Sequence, residues 1–365
     1  MAKRDLYIGL MSGTSLDGVD AVLADFSSPR FRVVAHAHVA FDAGLRESLL
    51  ALSVPGFDEI ERASRLGLIL AQEYAHAVDL VLLRAGVTAK EICATGCHGQ
   101  TIRHRPEQGY TVQISNPALL AELTKITVVA DFRSRVMAAG GQGAPLVPAF
   151  HAVAFGDSME DRAVANIGGI ANITLLPRGT PVLGFDTGPG NCLLDAWVQR
   201  HRKTPLDAAG AWAAGATPLR SLLDRMLEEP FFFLPPPKSS GRELFNMDWL
   251  GKHLNGSEDP RAVQATLLEL TVESVSRSVE VATPTVSRLI VCGGGAYNDA
   301  LMRRLGERLA PHAVDNSAVH GVPADQVEAI AFAWLAQRAV TGKTGNLPEV
   351  TGAGGHRILG AIYPA

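Results

Sequence analysis

The chain has 365 residues, 47% of them hydrophobic and 19% charged, with a formal net charge of -4. That length favours two domains, and that composition excludes a disordered or low-complexity chain. The small negative charge gives no reason to expect nucleic acid or an anionic membrane as a partner.

Four cysteines, Cys93, Cys97, Cys192 and Cys292, lie in apolar or glycine-rich surroundings. Their spacing is neither a zinc nor a redox signature, so buried free thiols in a reducing compartment are expected. Met1-Ala2-Lys3-Arg4-Asp5 leads straight into the first strand, and no signal peptide is expected. The uncharged run Val136 to Gly156 is broken by glycines and prolines and does not read as a membrane span. A cytoplasmic protein is the expectation.

Tyr7 to Met11 is short and apolar, and Val19 to Phe26 is apolar apart from Asp20 and Asp25; both read as strands. Between them, Ser12, Gly13, Thr14, Ser15, Asp17 and Gly18 make a turn of small polar residues. Such a turn lets backbone approach an anionic group and aims N–H and hydroxyl donors at it. An ordinary Asp-Gly hairpin would look similar. Phe31 to Phe41 alternates and completes a three-strand meander. Helices are expected at about 43–53 and 58–84, the second capped by Asp58 and stopped by Gly86.

A buried strand ends near Cys97 and releases His98, Gln100, Thr101 and His104 in a glycine-broken polar turn. Ligands of open α/β sheets sit at such strand ends, and these groups suit a hydroxyl-rich ligand. Thr111 to Ser115 is a strand, and Asn116-Pro117 caps a short helix. Asn116 is therefore either a cap or a ligand contact. Thr127 to Phe132 runs into Asp131, Arg133 and Arg135, which suit sugar hydroxyls, a carboxylate or a phosphate, or else form a surface ion-pair cluster. The glycine-rich stretch Ala138 to Pro145 marks a composition shift, and the boundary is expected beside it, with lobes at 1–135 and 136–344 and a tail at 345–365 returning to the first.

The second half repeats this logic. Ala163 to Asn166, a Gly168-Gly169 turn, Ile170 to Leu176 and Val182 to Phe185 form another meander, followed by a helix at 192–201. The duplication is structural, without a fixed sequence period. Asp186 ends the third strand before Thr187-Gly188-Pro189-Gly190-Asn191 and is the candidate base, placed to take a proton from an attacking hydroxyl or water. Capping of loop amides is the competing role. A helix at 260–282 and the strand Leu289 to Cys292 lead to Gly293, Gly294 and Gly295, where a flat purine ring could approach backbone. Helices are expected at 299–310 and 325–340. Glu328, on the latter, is a second acidic candidate, though acids near helix starts often serve the dipole. A clamp is expected, with all three glycine turns facing one cleft.

These stretches resemble the anhydro-N-acetylmuramic acid kinase family: Ile8 to Asp20, His98 to Thr101, Asn116 to Ala118, Ala130 to Arg133, Gly140 to Pro145, Phe185 to Asn191, Pro237 to Glu243 and Val327 to Ala329. The resemblance spans about residues 7–363. It implies an α/β fold, the two-lobed actin/hexokinase/Hsp70-type ATPase clamp with duplicated mixed sheets. It also implies an ATP- and Mg²⁺-dependent kinase that opens 1,6-anhydro-N-acetylmuramic acid with water and phosphorylates O6, and a cytoplasmic homodimer.

By position, Gly13, Thr14, Ser15, Leu16, Asp17, Gly18, Val19 and Asp20 would hold ATP phosphates; the glycine turns themselves add Gly168 and Gly169 as phosphate contacts and Gly293, Gly294 and Gly295 as purine contacts. Asp186 would activate water. His98, Gln100, Thr101, Asn116, Asp131 and Arg133 would contact sugar. Two positions depart from the family pattern: Val136 stands where an acid is expected, and Ser115 where glycine is expected. Another sugar kinase of this fold, and a nucleotide-gated binding protein without a small substrate, are the competing readings.

Overall fold

The structure, a computed structural model, describes residues 5–13, 15–236, 238–241, 243–282 and 285–365. Thr14, Pro237 and Arg242, which the sequence singles out, lie outside the described residues. In the first meander, β1 (Leu6–Met11), β2 (Gly18–Asp25) and β3 (Arg32–Ala40) pair antiparallel. β4 (Ile92–Cys97) runs parallel to β1. β5 (Gln100–Arg105) and β6 (Tyr110–Ile114) form a separate hairpin, and β7 (Val128–Ala130) runs parallel to β4.

The second meander is β8 (Asp161–Ile167), β9 (Ile170–Leu176) and β10 (Leu183–Pro189). β11 (Val286–Cys292) lies parallel to β8, and β12 (Ala313–Asn316) parallel to β11. β13 (Ala361–Tyr363) returns antiparallel to β7. The sheet orders are β13-β7-β4-β1-β2-β3 and β10-β9-β8-β11-β12. Without β13 they are the same: third, second, first, fourth, fifth.

The chain divides into two units, Met1–Phe150 with Gln326–Ala365, and His151–Asp325. The sequence places the boundaries near 135 and 344, and packing explains the difference at the second. Helix Val327–Val340 lies on β1 and β4 of the first sheet. A Cβ at Gly9 would fall 1.8 Å from the Ala329 carbonyl oxygen, and one at Gly96 2.0 Å from that of Phe332. Two glycines on adjacent strands thus make a trough for that helix.

The opposite face of the first sheet carries Leu6, Ile8, Leu10, Val19, Ala21 and Leu23, alternate residues that bury together. Against them lies helix Glu59–Ala85, whose Leu66, Leu70, Tyr74, Val78 and Val81 recur every three or four residues. This helix is long and apolar enough to cross a membrane by composition, but its buried stripe belongs to this core.

The stretch His98 to His104 is not a single polar turn. Gly99, at φ 76°, turns the chain directly into β5. Helices Ser134–Ala138 and Val147–Phe155 occupy the stretch read from sequence only as glycine- and proline-broken. Cys97, Cys192 and Cys292 are buried free thiols, whereas Cys93 is exposed.

Candidate active site

In the first unit the turn between β1 and β2 is braced from below. The buried Ser12 hydroxyl lies 2.8 Å from the Tyr74 hydroxyl. Leu16 adopts φ 55° and its N–H donates to the Gly13 carbonyl at 3.3 Å. The Ser15 hydroxyl donates to Asp17 Oδ1 at 2.6 Å, and Phe41 N–H donates to the Asp17 carbonyl at 3.1 Å. Gln100 Nε2 donates to the Gly13 carbonyl at 3.3 Å, joining β5 to the turn. A Cβ at Gly13 would meet nothing closer than 3.6 Å, so the turn's backbone is open to a ligand there.

Beside it lies a part-buried polar cluster. Arg133 donates from Nε and Nη2 to His98 Nε2 at 3.2 and 2.9 Å, and from Nη1 to the Gly143 carbonyl at 2.9 Å. Arginine has no acceptor, so the imidazole accepts through Nε2, carries its proton on Nδ1 and stays neutral. Burial, followed by the Arg133 charge, holds His98 well below the usual histidine range. Burial pushes the guanidinium down to about 10, and the Glu328 charge opposes that shift. Phe332 packs on the His98 ring at 4.7 Å. His98 Nδ1 and Gln100 Oε1 are buried with no hydrogen-bond partner among the described residues. Two orphaned polar atoms beside an open turn are what a polar ligand would satisfy.

In the second unit Asp186 sits where β10 bulges against β9. Its N–H donates to the Lys238 carbonyl at 3.0 Å, and Ser240 N–H donates to its Oδ2 at 2.9 Å. Burial pushes its carboxyl up to about 7; the Ser240 N–H and the Lys238 charge pull it down, and Glu243 pushes it up. The Gly168-Gly169 turn abuts the next helix start: Asn191 N–H donates to the Gly168 carbonyl at 2.7 Å, and Cys192 N–H to that of Gly169 at 3.0 Å. Gly293 adopts φ 77°, and a Cβ there would fall 2.5 Å from Asn166 Oδ1. At Gly168 and Gly294 such an atom would meet nothing closer than 3.6 and 3.5 Å. Two glycine segments, Gly168-Gly169 and Gly293-Gly294, therefore lie at one end of this sheet, each with a position of open backbone.

The family model for anhydro-N-acetylmuramic acid kinase matches residues 5–365. The chain belongs to the anhydro-N-acetylmuramic acid kinase family. It is 54% identical to the anhydro-N-acetylmuramic acid kinase of Cupriavidus metallidurans, over 99% of this chain and 98% of the relative. It is 53% identical to that of Nitrosospira multiformis over the full length of both. Among solved structures, component A of (R)-2-hydroxyglutaryl-CoA dehydratase from Acidaminococcus fermentans aligns with a TM-score of 0.51 at 12% identity, over 92% of this chain and 99% of that one. That likeness is one of fold. The duplicated mixed α/β sheets are of the actin/hexokinase/Hsp70 type.

Among the residues singled out in this kinase-family chain, His98, Gln100, Arg133 and Glu328 gather beside the first turn. Leu16 and Val19 bury their side chains in the core, so only their backbone could meet a ligand. A Cβ at Gly18 would fall 2.3 Å from the Val39 carbonyl oxygen, which makes Gly18 a requirement of strand pairing. Asp20 gives its carboxylate to His36 and His38.

Asn116 caps helix Pro117–Thr124, its Oδ1 accepting from Leu119 N–H at 2.9 Å. Asp131, exposed at φ 57°, accepts from the Ser134 hydroxyl. Thr101 belongs to a ladder on the β5–β6 hairpin, accepting from Gln113 Nε2 at 3.1 Å. Val136 is fully buried, so the charge expected there in the family is replaced by core packing.

Sequence reasoning assigns no role to Lys238, Ser240 or Glu243, although they fall within a family-like string, nor to the alternating His36 and His38. Among the described residues no group of three or more His, Cys, Asp or Glu is placed to hold a metal ion.

Proposed function

We infer that this protein is an ATP-dependent kinase of 1,6-anhydro-N-acetylmuramic acid, producing N-acetylmuramic acid 6-phosphate and ADP in cell-wall recycling. The observation that carries the chemistry is Asp186, a half-buried carboxylate with its pKa pushed up to about 7. A general base works best with its pKa near the operating pH. The anhydro bridge leaves no free 6-hydroxyl, so a base must first act on water. Asp186 takes a proton from water, the water oxygen bonds to C1 and the C1–O6 bond breaks. O6 then takes the γ-phosphoryl group, and ADP leaves. The Ser240 N–H steadies the ionised carboxylate, and Lys238 balances its charge.

On this reading the turn from Gly13 to Asp20 and the Gly168-Gly169 turn contact the phosphates, and Gly293 to Gly295 contact adenosine. The open backbone at Gly13, Gly168 and Gly294 fits such a ligand. His98, Gln100 and Arg133 are the better-supported sugar contacts, because the orphaned atoms lie there. Thr101, Asn116 and Asp131 would act through the groups their local bonds leave over. Glu328 supports Arg133 and remains a candidate for acid–base work.

Mg²⁺ would neutralise charge on the phosphates and be held chiefly by them, as is common for this ion. A cytoplasmic homodimer belongs to the same reading and is checked by light scattering. Two outcomes test the reaction. ATP turnover should depend on added anhydro sugar, and product made in ¹⁸O-labelled water should carry label in the sugar phosphate. Turnover with a different sugar alone would instead favour another kinase of this fold.

A further inference from the structure

Asp20 begins as a candidate phosphate contact, yet its carboxylate faces two imidazoles. His36 Nε2 lies 3.1 Å and His38 Nδ1 3.0 Å from the same oxygen, Oδ1. The register makes this possible: Asp20 pairs with His38, Val22 with His36, and all four side chains lie on one face of the sheet. A carboxylate accepts, so each ring must present an N–H to it, which fixes both tautomers. The two histidines differ in what else they approach. The His38 ring also lies over Gly18, where its Cε1 and Nε2 stand 2.7 and 2.8 Å from the position a Cβ would take. Gly18 closes the turn that starts at Gly13. His36 makes no such approach.

We propose that His38 is a positioning residue for the nucleotide: clamped by Asp20, its ring presses on Gly18 and sets the shape of the turn that receives the phosphates. The inference rests on the reading of that turn as a phosphate site. It assigns the residue at 38 to nucleotide affinity rather than to catalysis, and it recasts Asp20 as the clamp instead of a ligand contact. His36 shares the clamp without touching the turn and so serves as an internal control.

The test measures ADP affinity by calorimetry and ATP kinetics on the full-length protein. His38→Ala should raise the ADP Kd and the KM for ATP about tenfold, with kcat changed less than about twofold, since a group acting only through the turn alters binding. His38→Asn, which keeps an N–H near the Nδ1 position, should recover most of that loss. His36→Ala should leave Kd within about twofold while showing a similar change in melting temperature, because it loses an equivalent bond. Equal shifts from the two alanine variants, or none from His38→Ala, would overturn the proposal. Ser15→Ala and Asp17→Asn separate the two levels. If they shift ADP affinity and His38→Ala does not, only the role of His38 fails. If none of them shifts it, the phosphate reading of the turn fails, and this inference with it.

Discussion

Asp186 shows how burial and three neighbours set one proton. Burial pushes its carboxyl up to about 7; the Ser240 N–H and the Lys238 ammonium oppose that rise, and Glu243 adds to it. A base must be ionised to accept a proton, so kcat should rise with pH through about 7 and then level. Removing Glu243's charge with Glu243→Gln should move that limb to lower pH. Lys238→Met removes the opposite charge and should move it higher. A pH–rate profile of each variant checks this, and limbs that move in the same direction would rule out the assignment. Asp186→Asn should lower kcat by roughly 10²- to 10⁴-fold, the usual range for a general base, with ADP affinity nearly unchanged. Lost ADP affinity with residual turnover would instead make Asp186 a nucleotide contact.

At the level of elements, what was legible followed from local pattern. Short apolar runs marked the strands, with alternation at Phe31 to Phe41, and small residues marked the turn of each meander, so their existence and order could be read directly. The β5 strand was hidden because His98 to His104 is polar apart from Gly99 and Ile102; its partner β6, not its own composition, makes it a strand. The unit boundary was hidden for another reason. Helix Val327–Val340 reads as apolar in any context, and only the trough at Gly9 and Gly96 ties it to the first sheet. The His98–Arg133 pair joins residues 35 apart, and the sequence supplied its members but not their bond.

The trough is itself testable. Gly9→Ala and Gly96→Ala each set a methyl against a helix carbonyl and should cost about 2–3 kcal/mol or more, as overpacking does. Gly306→Ala, inside helix Asp299–Leu309 with nothing within 4 Å of the new atom, should stabilise by about 0.5–1 kcal/mol. Urea unfolding compares the three, and a neutral Gly9→Ala would remove the packing argument for the boundary.

Acid stability concerns the molecule as a whole, because each unit buries a neutral histidine. His98 does so in the first unit. In the second, His151 is fully buried with Nδ1 2.8 Å from the Thr174 hydroxyl, and burial pushes its pKa down to about 3. The unfolded chain binds a proton at His151 below about 6.5 and the folded chain does not, so stability drains as pH falls, by about 2 kcal/mol at pH 5. Asp186 works the other way in the same unit. Its folded pKa of about 7 is raised above that of an aspartate in the unfolded chain, so the folded chain takes up a proton first and gains stability as pH falls. Between about pH 6.5 and 4.5 the two proton uptakes nearly cancel. These two groups together should therefore contribute a flat profile there, although one of them on its own favours acid unfolding. Asp186→Asn removes the compensating uptake and should make urea stability fall between pH 7 and pH 5. His151→Asn, which keeps a polar group near the Nδ1 position that faces Thr174, removes the opposing one and should make stability rise over the same interval. Variants that slope in the same direction would show that the base is not held protonated by its surroundings, and the site would then lack the poised carboxyl on which the proposed chemistry depends.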